Sequence, residues 1–292
     1  MNRINALAAL TASAIFGASF WLSGYPGLLV NAIGITVVIS GTLGAIFMSY
    51  SATDLFAALR VARNSYAVLP PTPEEVVESL MDVSMRQRQG GLLAIEPVEE
   101  QTTVTFLKNA LSMLMDQYPE RTFREILYTE MHFFQLRRQQ HERIFHKMAQ
   151  LAPSFGVAGS ILGLIGMLGG IGDTTVIVQT IPIALTSTLY GVILANLILI
   201  PIAESIHSKT QKELLAQKII VEGSVAIMQE EDSRRLARRL EAFMIPAARR
   251  ESERTFAQIR ARYLRSQGTQ KRPRSHTVGI RSTPLHARAG IT

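Results

Sequence analysis

The sequence predicts an all-α membrane protein: four transmembrane helices joined to a helical cytoplasmic domain. Three observations predict it. Of the 292 residues, 47% are apolar, which is high for a soluble chain. Charge is missing from two long blocks: there is none from Ile4 to Thr53, and from Met148 to Ala203 there is only Asp173. A hydrocarbon core of about 30 Å is crossed by roughly 20 apolar residues. Each block therefore holds two spans around a polar break, SGYPG in the first and GGIGDTT in the second. The third observation is where the cations lie. Of 30 Lys and Arg, 11 fall in 51–149 and 18 after Glu204, while the two short breaks have none. The positive-inside rule puts both termini and both large segments in the cytoplasm.

The spans are expected at about 5–22, 28–50, 153–171 and 181–203. The first could also be read as a cleaved leader, but a second span follows almost at once. Between the blocks, TDLFAALRVAR reads as a short helix leaving the membrane, and VLPPTPEE breaks it. The next helix opens at TPEEVVESLMDVSMRQRQ, with a Thr cap, Pro at the next position and Glu in the first turn. GGLLAIEPVEEQ reads as an exposed elbow, TVTFLKNALSMLMD as a helix, and QYPERTF as the start of another. On that last helix Leu127, Met131 and Phe134 share a face, and it is expected to run through Ala149 into the third span, bent near Pro153. After Glu204 one long helical pattern continues to MIPAARR. From about Gln267 the chain is rich in Pro, Gly, Ser and Arg without acid, a composition of disorder. The expected division is 1–52 for the first two spans, 53–149 for the cytoplasmic domain with its elbow, 150–204 for the last two spans, 205–266 for the C-terminal helices and 267–292 for the tail.

Composition and spacing exclude most chemistry. With no Cys there is neither a disulfide nor a thiolate site. HERIFH sets His141 and His146 five apart, off the four-residue spacing of two ligands on one helical face. GVAGSILGLIGMLGG follows helical sequence and lacks GKS or GKT, so it is no nucleotide loop. No nucleophile–base or paired-carboxylate arrangement stands out, so an enzyme, a cofactor and a metal are not expected. A net charge of +7 beside membrane spans suits topology and anionic lipid rather than nucleic acid.

The glycines have another use. Gly156, Ser160, Gly163, Gly166 and Gly170 form one stripe, and Ala184, Ser187, Thr188, Gly191 and Ala195 another. Small stripes let helix backbones approach closely in lipid. The hydroxyls within them suit a path for a cation or its water, but such a path needs a charged group at depth. The chain has none, so either no ion moves or a partner brings the carboxylate. The elbow displays Arg86 and Arg88 before Glu96, Glu99 and Glu100, a mixture suited to steering toward a charged surface.

Taken together these segments resemble the MotA/PomA family, the larger subunit of the bacterial flagellar stator. The resemblance rests on APSFGVAGSILGL, PIALTSTLYGVILANLILIPIA, MRQRQGGLLAIE and IIVEGSVAIMQEEDSRRLARRLEAFM, in that family's order and topology once the elbow is placed between the spans. It implies a homopentameric ring around a MotB/PomB-like partner that supplies a transmembrane Asp. It also implies an inner-membrane location and torque on a FliG-like rotor switch protein. Residue by residue, it implies an ion path at Ser160, Ser187, Thr188 and Tyr190, conformational coupling at Pro153 and Pro201, and rotor contact at Arg88 and Glu96, with Glu99 on the same elbow. Ser stands at 160 and 187 where the family has Thr. Gln89 and Pro97 depart from the elbow pattern, and nothing beyond Arg250 matches. Ser is shorter than Thr and freer at χ1, so it would hold a sodium cage less firmly; the coupling ion is expected to be the proton. The rivals are an ExbB/TolQ-type energiser, which usually has three spans, and a membrane scaffold that conducts nothing.

Overall fold

The computed structural model describes residues 31–67, 70–102 and 104–244, with isolated positions between 11 and 22 and between 246 and 261. The described residues are helices and turns, without strands. The expected first span lies half outside them; where it is described it is helical at 11–12 and 14–19, with a turn at Leu22. The tail at 267–292 lies outside the described residues.

Helix α1, Ala32–Ser49, opens on Asn31, whose side chain accepts from the Gly34 amide. After a two-residue break at Tyr50 and Ser51 come α2, Ala52–Ala67, and α3, Pro73–Gly90. The Thr72 cap expected at α3 is present, and the structure makes it a capping box: Thr72 Oγ1 accepts from the Glu75 amide, and Glu75 accepts from the Thr72 amide. The elbow is more ordered than a loop. A 3₁₀ turn, Leu92–Ile95, leads into the short α4, Glu96–Gln101, and Ile95 is fully buried. That burial follows from the turn, which swings Ile95 beneath α3 and onto α5, Thr105–Met115.

The third span is not a separate element. It is the outer part of α6, Glu120–Gly169, an unbroken 50-residue helix that carries Pro153 inside it. At 1.5 Å per residue it is about 75 Å long. The fourth span opens earlier than expected. Asp173 accepts from the Thr175 amide at 2.8 Å and caps α7, Thr174–Ile193, which takes Pro182 into its interior. A π-helical stretch, Leu194–Leu199, leads into α8, Ile200–Met228. The long C-terminal helix expected from the sequence stops there, and α9, Ser233–Glu241, is a separate element. The break is a Schellman end: the Glu231 amide donates to the Ala226 carbonyl and Glu230 takes φ +52. The turn lets α9 fold back and bury Leu236 and Leu240.

The described residues form two cores. One lies between α3, α5, α8, α9 and the inner end of α6, built on Val77, Leu80, Leu111, Phe123, Leu127, Ile219 and Ile220. The other joins α1 and α2 to the middle of α6 and the π stretch, through Val38, Ile46, Ala58, Phe145, Ala152 and Leu199. Of the face expected from Leu127, Met131 and Phe134, Leu127 is buried and Met131 packs partly against the first core. Phe134 instead carries the Arg138 guanidinium 5.1 Å from its ring centre.

Candidate functional site

The two small-residue stripes meet. A Cβ on Gly163 would sit 2.6 Å from the Ala184 amide nitrogen, and one on Gly191 2.5 Å from the Ala152 carbonyl oxygen. A Cβ on Gly156 would lie 2.9 Å from the Ser187 carbonyl. These neighbours are backbone, so glycine is what lets α6 and α7 come together as antiparallel partners.

Within that seam the structure joins Ser160 and Thr188. Their hydroxyl oxygens are 2.6 Å apart. Ser160 also makes a short contact to the Ala184 carbonyl and lies 3.2 Å from the Gly156 carbonyl. Ser160 has one proton to give. Donated to the Ala184 carbonyl, it leaves Thr188 donating to Ser160, and both oxygens keep a lone pair. The result is a half-buried cluster of two hydroxyls and two carbonyls at a place where the chain has no charged group.

Ser187 is not part of it. It is fully buried, donates to the Ile183 carbonyl at 2.6 Å, and fills the space left by Gly34 of α1 and Gly159 of α6. Tyr190 also faces elsewhere. Its hydroxyl accepts from the Asn31 amide at 2.9 Å, and Asn31 Nδ2 donates to Thr186 Oγ1 at 3.3 Å. Tyr190 and Thr186 thus fasten the start of α1 to α7. Neither Asn31 nor Thr186 is among the site residues expected from the sequence, although Thr186 opens the run of three hydroxyls at 186–188 and Asn before an apolar run is an N-cap signal.

Pro153 sits where α6 touches Gly191 and, lacking an N–H, leaves the Ala149 carbonyl without its α-helical donor. Pro201 follows the π stretch, and its carbonyl accepts from the Tyr66 hydroxyl at 3.2 Å. At the elbow the three charges differ. Arg88 donates to the carbonyls of Glu230 and Glu231, at 3.1 and 2.5 Å, and lies 3.6 Å from the Asp232 carboxylate. Glu99 pairs with Lys108 at 3.6 Å and is 16% exposed. Glu96 is exposed at the start of α4. Among the described residues no group of three His, Asp or Glu is placed to hold a metal.

Known proteins share this chain's sequence pattern and fold. The sequence profile of the MotA/TolQ/ExbB proton channel family matches residues 98–218. Motility protein A of Borreliella burgdorferi is 30% identical over 187 residues, 64% of this chain and 70% of that protein. Chemotaxis protein PomA of Vibrio alginolyticus is 27% identical over 213 residues, 73% of this chain and 83% of the relative. Among solved structures, the flagellar MotAB stator complex from Bacillus subtilis has a chain of the same fold. Its TM-score is 0.75 at 24% identity, over 85% of this chain and 97% of the other.

Proposed function

Because the chain belongs to the MotA/TolQ/ExbB proton channel family, we propose that it is the channel subunit of a flagellar stator, which couples proton flow across the inner membrane to torque on the rotor. Subunits of this family form channels and are not enzymes. The observation that carries the reading is the Ser160–Thr188 pair: polar oxygens gathered in an apolar seam, with no carboxylate of the chain's own. Buried polar groups in a membrane are costly and usually functional. Here they need a charge from outside, and a MotB/PomB-like partner with one transmembrane Asp supplies it. As that carboxylate gains and loses a proton, the cost of facing the apolar seam changes, which biases one arrangement of the two subunits over another.

The remaining assignments follow from this reading. Exposed apolar residues on both spans, among them Ile161, Ile165, Leu168, Leu185 and Ile198, suit lipid and neighbouring copies in a homopentamer. Both termini lie in the cytoplasm, where the elbow meets a FliG-like rotor protein with Glu96 foremost.

Expression in a stator-deficient strain tests the proposal. Swimming should return only when the chain is supplied with a partner bearing the transmembrane Asp. Proton flux through vesicles holding the purified chain alone would sink it.

A further inference from the structure

Between the hydroxyl pair and the cytoplasm, the fourth-span helix changes its own geometry. At the end of the π stretch the Ile200 amide donates five residues back, to the Ala195 carbonyl. A π turn is in effect an α-helix carrying one extra residue, and such turns gather at functional sites. In lipid the widened ladder must be satisfied from within the protein. Here Asn196 Nδ2 donates to the Val192 carbonyl at 2.9 Å, one turn back. Pro201, which has no N–H, cannot give Leu197 its α-helical bond.

Both flanks of the turn are held. On the outer side Gly191 packs against the backbone of Ala152 and Pro153. On the inner side the last turn of α2 is fastened to α8 at three points. Tyr66 donates to the Pro201 carbonyl, the Ser65 and Ser205 hydroxyls are 3.1 Å apart, and the Lys209 ammonium donates to the Asn64 carbonyl at 2.9 Å. Any rotation of α7 relative to α8 must be taken up between them.

We propose that Leu194–Leu199 is a movable one-residue insertion, through which the segment bearing Thr188 turns about its axis while α8 stays clamped to α2. The inference rests on the stator reading for its role in rotation. One residue is worth about 100° of turn at 3.6 residues per turn. As the extra residue passes outward along α7, each residue it passes, Gly191 included, turns by about that angle, so Gly191 must part from Ala152 and Pro153 while ladder bonds are exchanged one at a time. Thr188 then swings away from Ser160 without a break in the helix, and the oxygen cluster opens and recloses. Asn196 is the positioning residue that holds the insertion at its resting place.

Deleting a single residue tests this, with the chain co-purified in complex with its partner. Removing Leu197, which is exposed in the isolated chain, takes out the extra residue and leaves both flanking faces in register. The complex should assemble, the amides of 195, 196, 198–200, 202 and 203 should exchange hydrogen at least tenfold more slowly than in the wild type, and swimming speed should fall at least tenfold. Removing Leu215 from regular α8 should instead turn Ile219 and Ile220 out of the core and abolish assembly. The proposal is overturned if the Leu197 deletion swims at wild-type speed, loses the complex as the Leu215 deletion does, or leaves exchange unchanged. Should the wild-type chain itself fail to restore swimming, the stator reading falls, while assembly and exchange still decide whether the turn is a removable insertion.

Discussion

Ser160 gives its one proton to the Ala184 carbonyl and accepts from Thr188, and that decides what its loss should do. In Ser160→Ala the Ala184 carbonyl loses its donor and Thr188 its acceptor. Thr188 retains the Gly156 carbonyl at 3.5 Å, too long for a strong bond. A proton path needs only one acceptor and a water, and water can replace the lost hydroxyl. Swimming in Ser160→Ala should therefore fall only about two- to fivefold, at an energetic cost of about 1 kcal/mol. Speed should be flat against sodium at fixed pH and ionic strength and collapse with a proton uncoupler. A steep rise with sodium that ignores the uncoupler, together with a disabled Ser160→Ala, would reverse the ion. Arg88 and Glu96 separate in the same way. Arg88 ties α3 to the turn between α8 and α9, so Arg88→Ala should destabilise the cytoplasmic core by about 1–2 kcal/mol, read as a lower unfolding midpoint. Glu96 is exposed at the start of α4, and Glu96→Lys should cost about 0–1 kcal/mol while lowering torque.

The seam between α6 and α7 is where an element depends on single atoms. At Gly163 and Gly191 a methyl group would meet backbone, which cannot rotate away. Helix association in lipid rests on close packing because apolar surfaces gain little from leaving one apolar medium for another. Gly163→Ala and Gly191→Ala should each push the helices apart and cost about 1–3 kcal/mol, so that less complex is recovered from the membrane and swimming stops. Gly44→Ala is the control: a Cβ there has nothing within 4 Å, so assembly should match the wild type. Equal loss in all three variants would remove the seam from the account, because helix propensity alone favours Ala over Gly by about 1 kcal/mol and predicts no loss.

Across the whole molecule, the 50 residues of α6 join the seam to the cytoplasmic core, and Glu222 secures that connection. It accepts from Arg124 at 3.2 Å and Tyr128 at 2.9 Å, both on α6, and from Arg239 of α9 at 2.9 Å. Burial pushes the Glu222 carboxyl up, but the hydrogen bonds from Tyr128 and Arg239 and the charge of Arg124 outweigh it and hold it below its usual value. Glu120 is lowered too, first by its hydrogen bond from Gln229 and then by Arg124. A carboxylate lowered in the folded state stabilises it above the unfolded value, about 4.3, and that contribution is lost as pH falls through the folded value. The unfolding temperature of the complex should be level from pH 7 to 5 and drop below about pH 4. Glu222→Gln should start lower at pH 7 and drop less. A parallel acid profile in the variant would remove Glu222 from the account.

The sequence by itself determined the membrane blocks, the helical class, the Thr72 cap and the glycine-rich stripes that meet in the seam, because each is written in local pattern: charge-free length, period, cap residue and small size. It also carried the family resemblance that the comparisons support. The helix end it missed, at the close of α8, has no local mark. Glu230 takes positive φ without glycine, as Gln117 does after α5, a cost of about 1–2 kcal/mol that is met only when the helices must turn back into a shared core. The π stretch is equally silent, since an extra residue shows only against neighbours on both sides. Tertiary structure alone decided which hydroxyls meet. Ser187 and Thr188 are adjacent in the chain, yet about 100° of helical rotation sends one into the glycine cradle of α1 and α6 and the other to Ser160.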